Sequence, residues 1–316
     1  MPETIGVDLG GTKMLVGVVD SERRVVHSLS APSIGLGQEE LLATLERELR
    51  EALEACPDAA AVGLGIPCTI DRERGLATMA VNLELADVPI RGLMTERLGI
   101  PVAIDNDANL ALLAEHRFGA AKAARNAAML TIGTGIGGGL VIDGRLYRGS
   151  TGAAGELGHV VIEADGPPCQ GNCPNRGCVE SLASGTAIAR EGLAAAERSP
   201  ESALGRALAG GEVVDGALVT DAALAGDETA RDVVALAGRR IGVALSSLAN
   251  ALEPDVIVIG GGVIRAGELL VGPARAELQA RALTPMNRTR VAVAELGPEA
   301  GMIGAAAMAA IELEAT

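Results

Sequence analysis

The sequence predicts an α/β protein of two domains, and three observations carry that expectation. Apolar strand-length runs alternate with amphipathic helical runs through the first 118 residues. Val7 to Asp20 lays over Leu130 to Asp143, with Gly10 on Gly133 and Asp20 on Asp143, so a glycine loop between two strands occurs twice. The length, 316 residues, suits two domains at roughly 150 residues each.

The elements follow in order. Ile5 to Leu9, Met14 to Val19 and Val25 to Ser30 read as strands, with Gly10-Gly11 and Asp20-Ser21 in the turns. Leu41, Leu42, Leu45, Leu49 and Leu53 share one face of a helix expected from Glu39 to Ala55. A buried strand from Ala60 to Ile66, a helix from Gly92 to Leu98 and a strand from Val102 to Asp105 come next. Asn106 to Phe118 is helical in pattern, so Asp105-Asn106-Asp107 stands where a strand ends and a helix begins. Ligands of open α/β sheets bind at such ends. The second half restarts with a strand from Ala127 to Ile132, a glycine loop, a strand from Leu140 to Ile142 and the hairpin-turn dipeptide Asp143-Gly144. Helices follow from Gly185, and a strand from Val256 to Ile259 runs into Gly260-Gly261-Gly262. No segment is Pro- or Ser-rich enough to be a linker, which places the boundary in or just after the Asp107 helix, giving domains 1–118 and 119–300.

Composition narrows the partners. With 26 Lys+Arg against 41 Asp+Glu the formal charge is −15, which opposes nucleic acid. Phe118 and Tyr147 are the only aromatics, leaving no stacking platform for single strands. No apolar run reaches the roughly 18 residues of a membrane span. Met1-Pro2-Glu3-Thr4 lacks the basic and apolar regions of a signal peptide, so a cytoplasmic protein without a membrane partner is expected. Of five cysteines, three crowd between Cys169 and Cys178, which suggests a metal rather than a disulfide framework.

Three constellations could carry chemistry. Asp8-Leu9-Gly10-Gly11-Thr12-Lys13 puts a carboxylate at a strand end before glycines that let backbone N–H groups approach an anion; an ordinary hairpin turn explains the hexapeptide equally. The G-x4-G-K-[ST] phosphate loop is absent. Gly133-Thr134-Gly135-Ile136-Gly137-Gly138-Gly139 contains G-x-G-x-x-G but leads into a strand rather than a helix. A phosphate loop in a hairpin therefore fits better than a dinucleotide fingerprint. Two such loops suit a nucleotide held between duplicated halves. Glu156-Leu157-Gly158-His159 precedes Cys169-x3-Cys173-x4-Cys178 and Val179-Glu180. Three thiolates and an imidazole make a closed tetrahedron, the ligand set of structural zinc. Buried free thiols are the alternative, but the polar run Pro167 to Pro174 is no core.

Taken together and in this order, Asp8 to Lys13, Asn106-Asp107-Ala108-Asn109, the loop 133–139, Glu156-x-Gly158-His159 and Gly177-Cys178-Val179-Glu180 resemble the ROK family of sugar kinases and repressors over nearly the whole chain. Arg148 to His159 is especially similar to its glucokinase branch. The resemblance implies an actin-like, hexokinase-like (duplicated RNase H-like) two-domain ATPase fold, with ATP and sugar meeting in a central cleft. A last helix from Gly301 to Leu313, within 301–316, would cross back to the first domain.

The implied activity is transfer of phosphate from ATP to the 6-hydroxyl of a hexose, glucose foremost. Fructose, mannose, N-acetylmannosamine and N-acetylglucosamine remain open, because substrate choice lies in pocket contacts that these motifs do not fix. Asp107 is the implied base, although Asp also favours a helix N-cap. Asn106, Asp107, Glu156, His159 and Glu180 are the implied sugar ligands. Asp8 would help to hold Mg²⁺, and N–H groups of Gly10, Gly11, Thr12, Gly133, Thr134 and Gly135 would cradle the phosphates. Lys13 is either near them or solvated, and Gly260, Gly261 and Gly262 would pass under the adenosine. His159, Cys169, Cys173 and Cys178 would bind Zn²⁺, bracketed by sugar ligands and so expected to serve the sugar side alone. The family's metal loop is C-x-C-G-x-x-G-C; here the first gap has two extra residues and Pro174 replaces a glycine, leaving the path around Gly171 unassigned. A homodimer or homotetramer is also implied. The repressor branch carries a helix-turn-helix before the first glycine loop, which begins here at residue 10, so a repressor is not expected.

Overall fold

The computed structural model describes residues 3–314 apart from Ser21, Arg23, Val81, Asn82 and Asn172. Strands β1 (Thr4–Leu9), β2 (Lys13–Val19) and β3 (Val25–Pro32) form an antiparallel meander; Ser21 of the expected turn lies outside the described residues. Helix α1 (Gln38–Ala55) begins with Glu39 and Glu40, whose charges suit a helix N-terminus, and buries Leu41, Leu42, Leu45 and Leu49 as the periodicity predicts. After β4 (Val62–Ile66) come three short strands, β5 (Cys68–Asp71), β6 (Leu76–Ala80) and β7 (Ala86–Val88), in a separate antiparallel sheet. Nothing in the sequence marks this sheet, because strands of three to five residues are too short to display a period of two. Helix α2 (Ile90–Leu98) stops at Gly99, whose φ of 74° is the left-handed cap expected of glycine. Strand β8 (Val102–Asn106) then leads into α3 (Asp107–Phe118), and the first large sheet has the order β3-β2-β1-β4-β8.

The second half repeats this plan. Strands β9 (Ala127–Ile132), β10 (Ile136–Ile142) and β11 (Arg145–Leu146) are followed by helices α4 (Val179–Ala183), α5 (Gly185–Arg198), α6 (Ala203–Ala209), α7 (Gly216–Leu224) and α8 (Glu228–Leu252). Strand β12 (Val256–Gly260), helix α9 (Glu268–Arg281) and strand β13 (Arg290–Val293) complete a sheet of order β11-β10-β9-β12-β13. The overlay that puts Val7 on Leu130 also puts Thr4–Leu9 on Ala127–Ile132 and Lys13–Val19 on Ile136–Ile142, so the faint internal repeat marks matching strands. Their registers differ by one residue: Leu9 faces Met14, whereas Ile132 faces Ile136. The second glycine loop is shorter than expected, because Ile136 to Gly139 already belong to β10. Gly138 is there for packing, since a Cβ would stand 2.5 Å from the Gly155 carbonyl oxygen.

Helix α10 (Ala300–Glu314) is buried on every side from Ala300 to Ala310. It packs on α3, β1 and β4, returning the end of the chain to the first sheet, with the Thr4 hydroxyl donating to the Ala306 carbonyl at 2.9 Å. Residues 315 and 316 of the expected helix lie outside the described residues. Backbone meets backbone here: a Cβ on Gly6 would overlap the Met302 carbonyl, and one on Gly63 the Ala305 carbonyl. Among the described residues no helix is long and apolar enough to cross a membrane. Gly63→Ala is expected to lower the unfolding free energy by the roughly 1–3 kcal/mol typical of overpacking; an unchanged urea midpoint would contradict this close approach.

Candidate active site

The site begins at the junction of β8 and α3. The Asn106 side-chain oxygen accepts from the N–H groups of Ala108 (3.0 Å) and Asn109 (3.2 Å), making Asn106 the N-cap. Asp107 is therefore the first helical residue and not the cap, with Oδ1 accepting from Ala108 N–H at 2.9 Å. The Asn106 amide nitrogen points back to the Cys68 carbonyl at 3.4 Å. Burial raises the Asp107 pKa above its ordinary value and the charge of Glu156 adds to the rise, against the bond from Ala108. Asp8 is pushed up to about 7 by burial and then by the charge of Asp107, with Lys13 opposing. The Cys68 thiol is pushed up to about 12 by burial and by Asp107. Asp8, Cys68, Asp107 and Glu156 thus share one electrostatic neighbourhood, where a second negative charge is costly.

Both glycine loops use part of their backbone internally. Gly10 N–H donates to the Lys13 carbonyl (3.1 Å) and Gly133 N–H to the Gly135 carbonyl (2.9 Å), so neither is available for a phosphate as expected. The hairpins take these two donors to close their own turns. The N–H groups of Gly11, Thr12, Thr134 and Gly135 have no such acceptor among the described residues. Lys13 opens β2 with an exposed side chain. Gly261, at φ 88°, lies on the backbone of Ile132 so closely that a Cβ would overlap it. The Gly260-Gly261-Gly262 turn therefore sits beside the second glycine loop.

His159, Cys169, Cys173 and Cys178 come together as the spacing predicts, with their ligand atoms within 4.8 Å of one another. His159 turns Nδ1 toward Cys169 Sγ (3.7 Å), while Nε2 lies 4.0 Å from the Glu156 carboxylate. Burial drives the Cys169 thiol up, as does hydrogen bonding to Cys178 and Glu180. Burial also works against a Cys178 thiolate, but bonds from Cys169, Ser181 and His159 outweigh it and hold this thiol below its usual range. The altered loop closes as a small hairpin: Pro168 bridges Arg176, Cys169 N–H donates to the Asn175 carbonyl at 3.0 Å, and Gly171 takes φ 61°. Asn172 lies outside the described residues.

The expectation that this loop stands apart from the phosphate loops is corrected. Buried Glu180 accepts from Ile136 N–H (2.7 Å) on one oxygen and from the Cys169 thiol (3.4 Å) on the other. Gln170 Nε2 donates to the Thr134 carbonyl (3.3 Å), as does the Thr186 hydroxyl (2.9 Å), and Gly185 N–H reaches the Gly133 carbonyl (2.8 Å). The start of β10 needs an acceptor, and Glu180 supplies it.

A second carboxylate went unassigned in the sequence. Asp105 is 1% exposed and accepts from Arg72 Nη1 (2.9 Å), Arg148 Nε (2.5 Å), Asn106 N–H (2.8 Å) and Asn109 Nδ2 (3.1 Å). Aspartate after Val-Ala-Ile in a buried strand calls for a cation, and that was its only signal; both arginines are distant in sequence.

The sequence pattern of the ROK family matches residues 4–312. The chain belongs to the ROK family. It is 38% identical over 311 residues to a glucokinase of Thermotoga maritima, covering 96% of each chain. It is 36% identical over 307 residues to a glucokinase of Halalkalibacterium halodurans, covering 95% of this chain and 92% of the other. The crystal structure of a ROK family glucokinase from Streptomyces griseus in complex with glucose and AMPPNP superposes with a TM-score of 0.86 at 34% identity, covering 98% of this chain and 99% of that one. The actin-like, hexokinase-like fold is thereby established for this ROK protein.

Proposed function

We propose that this ROK protein is an ATP-dependent glucose kinase that phosphorylates the 6-hydroxyl, a reading supported by its glucokinase relatives. The observation that carries the mechanism is Asp107, a carboxylate of raised pKa on the first turn of α3 beside Glu156. Asn106, Glu156, His159 and Glu180 offer the donors and acceptors that vicinal hydroxyls require. With the sugar so held, the proton of the 6-hydroxyl passes to Asp107, the oxygen bonds to the γ-phosphorus, and the bond to the leaving ADP breaks. A base of raised pKa accepts that proton more readily than an ordinary carboxylate.

Gly11, Thr12, Thr134 and Gly135 would present their N–H groups to the phosphates, and the Gly260 to Gly262 turn would carry the adenosine. Asp8 fits Mg²⁺, because a carboxylate pushed up to about 7 with only Lys13 opposing is short of positive charge. Mg²⁺ there would neutralise charge on the transferring phosphates. The three thiols and the imidazole fit structural Zn²⁺ in donor type and number. The same proposal covers a lobe of 1–118 joined by 301–316, a lobe of 119–300, a cytoplasmic location and a homo-oligomer. Light scattering at a monomer mass of 31.8 kDa would exclude the oligomer.

Asp107→Asn should bind glucose in calorimetry yet lose roughly 10²–10⁴ in kcat, the scale of a general base; near-normal turnover would remove Asp107 from this role. Only the ionised carboxylate accepts the proton, so wild-type kcat/KM should fall as pH drops through the raised pKa. The acid limb should therefore lie above the ordinary value of about 3.9, and a limb at that value would contradict the burial of Asp107.

Elemental analysis should find one zinc per chain. Cys178→Ala should lose it and raise KM for glucose and for ATP together, by roughly the 10–100-fold of disturbed metal sites. An unchanged KM for ATP would mean that the Glu180 contact with Ile136 transmits nothing.

A further inference from the structure

We infer that Arg148 is a positioning residue that sets the distance between the sugar-holding loop and Asp107. It does so by an ion pair with Asp105 that ties the two large sheets together. The inference rests on the proposed sugar role of Glu156 and His159.

Arg148 follows β11 of the second sheet, and Asp105 lies in β8 of the first, two residues before Asp107. Their contact at 2.5 Å therefore spans the two halves of the molecule. From Arg148 the chain runs through Gly149 to Gly155 and delivers Glu156 and then His159. This stretch is pinned along its length. Ala154 N–H donates to the Arg148 carbonyl at 3.0 Å. Gly152 lies on β5, where a Cβ would be 2.5 Å from the Ile70 carbonyl oxygen, and Gly155 lies on β10, where one would be 3.1 Å from the Gly138 carbonyl oxygen. The glycine contacts are steric and fix only how near the loop can come. The ion pair is the directional pin, and it acts on the strand that carries the base.

Asp105 spends its oxygens unequally. Oδ1 takes Asn106 N–H and Asn109 Nδ2, which belong to the strand end and α3, while Oδ2 takes both arginines. The two arginines differ in what they join. Arg72 also reaches the Ile104 carbonyl and Glu312 of α10, so its contacts stay within the first sheet and its covering helix. Arg148 is the one that crosses. Removing Arg148 leaves Arg72 to compensate the buried carboxylate, so the fold should survive while the loop loses its register.

The test compares Arg148→Met with Arg72→Met. Arg148→Met should raise KM for glucose by roughly 10–100-fold, the cost of a misplacement on the order of 1 Å. KM for ATP should stay within about twofold, which a general loss of structure would not spare. Arg148→Lys, which keeps the cation, should recover part of the loss. Arg72→Met should lower Tm at least as much while leaving KM for glucose within about twofold. An unchanged glucose KM in Arg148→Met, an equal rise in both KM values, or the same glucose effect in Arg72→Met would each overturn the inference. If Arg148→Met does not fold, Asp105→Asn takes its place, with the same selective rise expected. A wild-type chain that leaves glucose unphosphorylated refutes the proposed function instead, and the same comparison is then read with the sugar that it does phosphorylate.

Discussion

The turn from β8 into α3 is the constraint on which the rest of the site depends. Asn106 caps the helix with its side-chain oxygen, and its own N–H is held by Asp105, so three consecutive polar residues are each committed to a separate task. An N-cap of this kind contributes typically about 1 kcal/mol. Its larger effect is geometric: with the cap fixed at Asn106, the next carboxylate must stand on the first helical turn. The helix dipole favours the ionised form there, whereas burial and Glu156 favour the protonated one. Burial wins, and the Asp107 pKa stands above its ordinary value.

Much of this was legible in the sequence. Leucines at helical spacing marked α1, the glycine loops marked both hairpins, and cysteine spacing marked a cluster that does assemble. What escaped had no local signature. Strands β5 to β7 are too short for periodicity, and the Asp105 ion pairs join residues 33 and 43 positions apart. That the Gly10 and Gly133 N–H groups close their own turns has no local signature for a related reason. Glycine tells that a backbone can approach a ligand closely, but only the fold tells whether its N–H has already been used.

Glu180 shows how few groups separate the parts of the site. One carboxylate touches a metal-type cysteine and the first N–H of β10, at the edge of the second glycine loop. The Cys/His cluster and the second glycine loop are therefore not two modules joined by a linker. A single buried side chain is common to both, so a change at the cluster reaches the start of β10 over the length of a hydrogen bond.

The docking of α10 has a consequence for folding. Strand β1 and the helix that covers it meet across a sequence separation of 302 residues, at the contact of Thr4 with Ala306. Until residues 300 to 314 dock, the backbone of Gly6 and Gly63 lacks the carbonyls that it packs against, and the first sheet keeps an apolar face open. The second sheet has one core of its own, but its other face packs on α3 and on Met302 and Ile303, so the same helix completes both sheets. A loss of that helix would therefore open both sheets at once, and the strand that begins the described chain would be left with an uncovered face able to pair elsewhere.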